Sequence, residues 1–148
     1  MKASENIITF IAEQEGFRSK AYRPLPTDRW TVGYGFTYLN GIPVKEGDVL
    51  SEDQAKTILA NLIQRVAASL TPNLPPQVTQ NQFDAVVSFV YNIGLTTFKA
   101  NNIGKMFYNG LNISDKFPLY NRSGGQIIQG LVSRRAKEQE IYDDGIYS

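Results

Sequence analysis

The chain contains neither cysteine nor histidine. Without cysteine there is no disulfide framework, no thiolate metal site and no Cys nucleophile. Without histidine, Ser-His-Asp and Cys-His catalysis are excluded, as are His-ligated metals. Acid/base chemistry is left to carboxylates, tyrosines, lysines or water. An excess of one charge is also missing. Fifteen basic residues face fourteen acidic ones, a net charge of +1, too even for a nucleic-acid footprint. No apolar run is long enough to span a bilayer. The opening MKASENIITFIAEQEG is interrupted by Glu5 and Glu13 and lacks the features of a cleaved leader. The expectation is a protein folded in a cytoplasm, with no stable membrane insertion and no nucleic-acid partner.

What is present suits one ordinary domain, or two small lobes sharing a core: 148 residues, 42% hydrophobic. A first helix is expected from Ser4 to Glu15, capped by Ser4, with Ile7, Ile8 and Ile11 on one face and Gly16 as its stop. Residues 17 to 50 have strand and turn composition, with Tyr22, Trp30, Val32, Tyr34, Phe36 and Tyr38 broken by prolines and glycines. Asn40-Gly41 signals a tight turn. Ser51 and Gln54 form a capping box for a long helix to Leu70, with a stripe of Ala55, Ile58, Leu59, Leu62, Ile63, Val66 and Leu70. TPNLPPQV breaks it. Thr79 and Gln82 cap another helix, with Phe83, Val86, Val87 and Val90 inward, ending near Gly94. A further helix is expected over 101–109, a turn at Ser123-Gly124-Gly125, and a last helix from about Ile127 or Leu131 to Tyr142, packed through Leu131, Ala136, Ile141 and Tyr142. Strands segregated from helices make this an α+β fold. A cleft between sheet-bearing and helical lobes is the expected ligand site.

Most of the fourteen carboxylates read as ordinary. Glu5, Glu52 and Asp53 sit in first helical turns, where the helix dipole favours them. Glu138, Glu140, Asp143 and Asp144 read as a solvated face and tail. Glu15 differs. It ends its helix, the unfavourable end for a negative charge, and Gly16 and Phe17 follow. Such a place suits a general acid; a frayed, solvated helix end explains it as well. In the loop PLPTDR, Asp28 is either a turn residue or the second carboxyl of a glycosidase pair, with the Thr31 hydroxyl nearby. Tyr22, Trp30, Tyr34 and Phe36 either present flat faces to sugar rings or pack the sheet. Gly33–Gly35 is no phosphate loop, having neither the lysine nor the following helix.

Three separated blocks then stand in order: EGFRSKAY with WTVGYG, TQNQFDAVVSFVYNIG with Phe98, and FPLYNRSGG with GLVSRRAKEQEIY. Over nearly its whole length the chain resembles the phage-type lysozymes, or endolysins, of glycoside hydrolase family 24. The PLPTDR insertion is similar to the loop of small podophage lysozymes. The resemblance implies a two-lobed lysozyme-like fold, a small sheet lobe (about 16–50) and a larger helical part (1–15 and 51–148) in one domain, joined by a long helix. It implies hydrolysis, with inversion, of the β-1,4 bond between N-acetylmuramic acid and N-acetylglucosamine in peptidoglycan, and host lysis as the biological role. It implies no cofactor and no metal, a monomer, and a host-cytoplasmic pool released to the wall by a separate membrane-permeabilising protein. Glu15 takes the place of the general acid and Thr31 that of the motif threonine, shifted by one residue. The motif aspartate falls on Pro24, so its role passes to Asp28, the nearest carboxylate of the same loop. Phe36 stands where the family usually has a structural His. Arg135 takes the place of an arginine that pairs with the catalytic Glu, and Tyr91 and Asn92, with Tyr34, are expected to line the saccharide site. With the aspartate position occupied by Pro24, a lytic transglycosylase acting on the same bond is an alternative, and a non-catalytic wall-binding module is another.

Overall fold

A computed structural model describes all residues from 1 to 148. The chain runs α1 (Glu5–Glu15), β1 (Arg18–Tyr22), β2 (Thr31–Gly33), β3 (Tyr38–Leu39), β4 (Ile42–Pro43), α2 (Glu52–Leu70), α3 (Gln80–Ile93), α4 (Leu95–Ala100), α5 (Asn102–Tyr108), a 3-10 turn (Ser114–Leu119), β5 (Arg122–Ser123), β6 (Gln126–Ile127) and α6 (Gln129–Asp144). It is an α+β fold with three two-stranded antiparallel sheets. No helix is long and apolar enough to cross a membrane. The chain divides into two compact units, one of residues 8–62 and one of residues 1–7 with 63–148.

In the 8–62 unit, α1 stops where Gly16 turns left-handed (φ +71°) and its N–H donates to the Ala12 carbonyl. β1 pairs with β2 on one edge, Arg18 opposite Gly33 and Tyr22 opposite Thr31. Its other edge meets the segment before α2, through Ala21 N–H to Asp48 O and Leu50 N–H to Ser19 O. Val32 and Phe36 exchange both backbone hydrogen bonds around Gly33–Gly35. Gly33 is needed there twice over. Its φ is +69°, and a Cβ would lie 2.8 Å from the Phe36 ring. Val32, Tyr34, Phe36, Val44 and Leu50 form the buried centre. α2 is opened by the reciprocal bonds of Ser51 and Gln54, at 3.0 and 3.1 Å.

In the other unit, α3 carries the core. Thr79 and Gln82 cap it reciprocally, and every residue from Phe83 to Val90 is buried. A helix apolar all round belongs in an interior. Two polar residues share that burial, Asp84 and Ser88. Asp84 accepts from Ser4 N–H (3.1 Å), Ser4 Oγ (2.5 Å), Gln80 Nε2 (2.9 Å) and Tyr147 OH (2.6 Å). Burial, with the Asp84 carboxylate beside it, pushes the Tyr147 phenol up to about 12. A phenol held protonated in the folded state supports the fold below its ordinary value near 10 and loses that support as pH climbs toward 12. In alkaline unfolding titrations a Tyr147→Phe variant should therefore lose less stability than the parent between those limits. At neutral pH it should be about 1 kcal/mol less stable, for want of the bond to Asp84.

Several short pieces have no counterpart in the sequence pattern. α4 has six residues, the 3-10 turn six, and β5 and β6 two each; none is long enough to show a period. Ala136, expected to pack, is exposed. Glu138, expected on a solvated face, is fully buried, as is Arg135, and Arg134 is buried beside them. α6 thus turns charged residues inward, the reverse of the usual pattern.

Candidate active site

Glu15 is the last residue of α1 and is half-buried. One residue separates Gly16 from β1, and that residue, Phe17, lays its ring 5.5 Å from the ring of Tyr34. The sheet is thereby tied to the end of α1. Tyr34 is 5% exposed and also packs edge-on to Phe36 at 6.3 Å. It belongs to the core of this unit, and burial, with Glu52 nearby, raises its phenol above the usual range. Thr31 opens β2 opposite Tyr22, half-buried, its hydroxyl donating to the Arg29 carbonyl at 3.2 Å.

Asp28 lies in the exposed loop between β1 and β2. Its N–H donates to the Leu25 carbonyl at 2.9 Å, and its Oδ2 accepts the Leu25 N–H at 3.0 Å. The carboxylate therefore closes the turn that the loop composition predicts. Only Oδ2 is used in this way. Arg23 completes the loop, donating from Nη1 to the Pro26 carbonyl at 3.0 Å. Its guanidinium lies 4.7 Å from the centre of the Trp30 ring. Trp30 thus carries an arginine on its face.

Tyr91 and Asn92 stand at the C-terminal end of α3, half-buried and exposed respectively. Asn92 borders an open pocket of about 540 Å³ together with Thr97, Tyr120, Arg122 and Leu131. Arg135, on α6, is 0% exposed. Its Nη2 donates to Asn92 Oδ1 at 2.9 Å, its Nε lies 2.7 Å from Glu138 Oε1, and the group covers the Phe89 ring at 4.9 Å. Glu138 Oε2 also accepts from Ser88 Oγ at 2.6 Å and from Arg134 Nε at 3.3 Å. Burial raises the Glu138 carboxyl against the opposing pull of both arginines and Ser88. Burial likewise lowers Arg135, against the pull of Glu138. A sequence pattern that places Glu138 on a solvated face does not reveal this network. Two signals pointed to it: a serine inside the apolar run FDAVVSFV, and an acid three and four residues after two arginines. No group of three carboxylates is gathered where a metal ion could be held.

Residues 12–138 match the phage lysozyme family. The chain is 38% identical over 148 residues to an endolysin of Bacillus phage PZA, covering 98% of this chain and 56% of that protein. It therefore spans little more than half the length of that relative. An endolysin of Acyrthosiphon pisum secondary endosymbiont phage 1 is 34% identical, with 97% of this chain and 99% of that protein covered. Among solved structures, an endolysin from an Escherichia coli O157:H7 phage, FAHEc1, superimposes with a TM-score of 0.88 at 30% identity. That match covers 100% of this chain and 97% of the other.

Proposed function

This chain belongs to the phage lysozyme family, and from that premise we propose that it is a muramidase of the endolysin type. It hydrolyses the β-1,4 bond between N-acetylmuramic acid and N-acetylglucosamine in bacterial peptidoglycan and so lyses the host. It acts as a monomer drawn from a host-cytoplasmic pool. The observation that supports this most is Glu15. In the block EGFRSKAY it is a half-buried carboxyl at the C-terminal end of α1, joined within two residues to the sheet that carries Thr31.

In this reading Glu15 gives its proton to the leaving glycosidic oxygen as the C–O bond breaks. Charge develops on the sugar ring, and water adds to the anomeric carbon. The free oxygen of the Asp28 carboxylate steadies that charge or takes the water's proton, and the Thr31 hydroxyl orients the water. Asn92, its amide oxygen held by Arg135, keeps its NH₂ for a sugar oxygen, and the Tyr91 ring lies beside it in sequence. Arg135, with none of its surface exposed, acts through Asn92. Tyr34 supports the end of α1 from within.

Mass spectrometry of fragments released from purified peptidoglycan tests the reading. Wild type should release muropeptides with reducing ends. Products carrying a 1,6-anhydro ring would make the chain a transglycosylase, and no fragments from several wall types would make it a binding module. Asp28→Asn is a clean probe, since the Asn oxygen can still accept the Leu25 N–H while the charge is lost. It should slow release by about a hundredfold. An unchanged rate would reduce Asp28 to a turn residue.

A further inference from the structure

Between residues 18 and 29 stand four cations, Arg18, Lys20, Arg23 and Arg29, and one acid, Asp28. All four cations are exposed, and none is ion-paired. Two carboxylates of neighbouring loops are occupied with backbone, Asp28 with the Leu25 N–H at 3.0 Å and Asp48 with the Lys45 N–H at 2.9 Å. The three arginines lie instead on rings: Arg18 over Tyr22 at 4.4 Å, Arg23 over Trp30 at 4.7 Å and Arg29 over Tyr38 at 5.3 Å. A guanidinium held over a ring keeps N–H donors for an anion and loses little freedom on meeting one; Arg23 spends one of its own on the Pro26 carbonyl and keeps the rest.

Their placement is not arbitrary. Tyr22 is the direct cross-strand partner of Thr31, so Arg18, stacked on Tyr22, lies on the side of the sheet that Thr31 shares. The Arg23–Trp30 stack joins the two ends of the loop just beyond that pair. Arg29 lies between Asp28 and that ring in sequence. Arg23 and Arg29 thus stand in the loop assigned to the reaction, and Arg18 lies over Tyr22 at its start.

We propose that Arg18, Arg23 and Arg29 form a specificity collar that binds the carboxylates of the peptide stems carried by the glycan strand. The proposal rests on the peptidoglycan substrate inferred above. A neutral sugar chain offers these cations nothing to pair with, whereas a guanidinium edge takes a carboxylate through two parallel hydrogen bonds. Each exposed pair is weak, worth about threefold in affinity, and screened by salt. Three acting together give on the order of tenfold or more.

The test is binding of the Glu15→Gln chain to purified peptidoglycan stripped of phosphate-linked polymers by hydrofluoric acid. The wall is used either native or with its carboxyls amidated. The native wall should be bound on the order of tenfold more tightly, and added salt should erase the difference. Combining Arg18→Gln, Arg23→Gln and Arg29→Gln should weaken binding to the native wall by that factor and leave binding to the amidated wall unchanged. The three Lys variants together should recover part of the loss. Equal binding of both walls, or an equal loss on both, would overturn the proposal. So would binding that appears only while the phosphate polymers are retained. Thermal melts of the variants identify any loss that comes from unfolding. Because binding is read in a hydrolytically silenced chain, a failure here is distinct from a failure of the hydrolase reading. That reading falls only if wild type releases no reducing-end fragments.

Discussion

Glu15→Gln should lower muropeptide release by about a hundredfold to ten-thousandfold, the range a positioned general acid contributes. Gln matches Glu in size and can hold the same half-buried place at the end of α1, but it has no proton to give to a glycosidic oxygen. The leaving group would then depart as an alkoxide, which water at neutral pH does not assist. The chain should remain folded and wall sedimentation should stay close to that of the parent, because α1 is closed by Gly16 and anchored by Ile7, Phe10 and Ile11. Release above a tenth of the wild-type rate would remove Glu15 from the role of acid. Glu15→Asp should fall between the two, since it keeps the proton but withdraws it by one methylene.

Glu138→Ala should cost about 3–5 kcal/mol of stability, the range for breaking a buried ion pair from one side. The loss would come less from the missing attraction than from what remains. Arg135 would be fully buried beside Phe89 with its main counter-charge gone, and Arg134 and Ser88 would lose their shared acceptor. For a chain of this length that corresponds to a fall in melting temperature on the order of 10 °C. Glu138→Gln should cost less, because an amide oxygen can still accept from Ser88 or from Arg135. Ser88→Ala should cost about 1–2 kcal/mol. Chemical denaturation of the three variants checks the order; a Glu138→Ala loss below about 1 kcal/mol would show that the arginines find water or another partner. Arg135 also holds Asn92, so wall binding of the same variants reports whether the network fixes that amide.

The elements that could be read from sequence were those with a long period and a cap. Ser51 with Gln54 and Thr79 with Gln82 mark α2 and α3, and Gly16 and Gly94 mark helix ends. The α+β order follows from where β-branched and aromatic residues gather. α4 and the β5 and β6 strands were not legible because six residues, or two, are too few to repeat a period. The inward face of α6 was not legible because burial of Arg134, Arg135 and Glu138 depends on Ser88 and Asn92, more than forty residues away in sequence. At the candidate site, the helix-end position of Glu15 and the turn position of Asp28 could both be read locally. The stacking of Arg29 on Tyr38 could not, since it joins the β1–β2 loop to the separate strand β3.

The grouping of residues 1–7 with 63–148 has a consequence for the order in which the chain acquires its structure. Ala3 exchanges two hydrogen bonds with the Gln64 amide, at 3.0 and 2.9 Å. Lys2 accepts from Gln80 at 2.9 Å, and Ser4 docks on Asp84. During synthesis the first residues leave the ribosome long before those partners exist. Residues 8–62 can close on themselves first, while the leading segment waits until α3 has emerged. Its docking then closes a loop of about eighty residues, a late and entropically slow event. Substitutions at Ser4 or Gln64 should accordingly speed unfolding more than they slow folding. Native-state amide exchange would then find the leading segment among the first parts of the molecule to open.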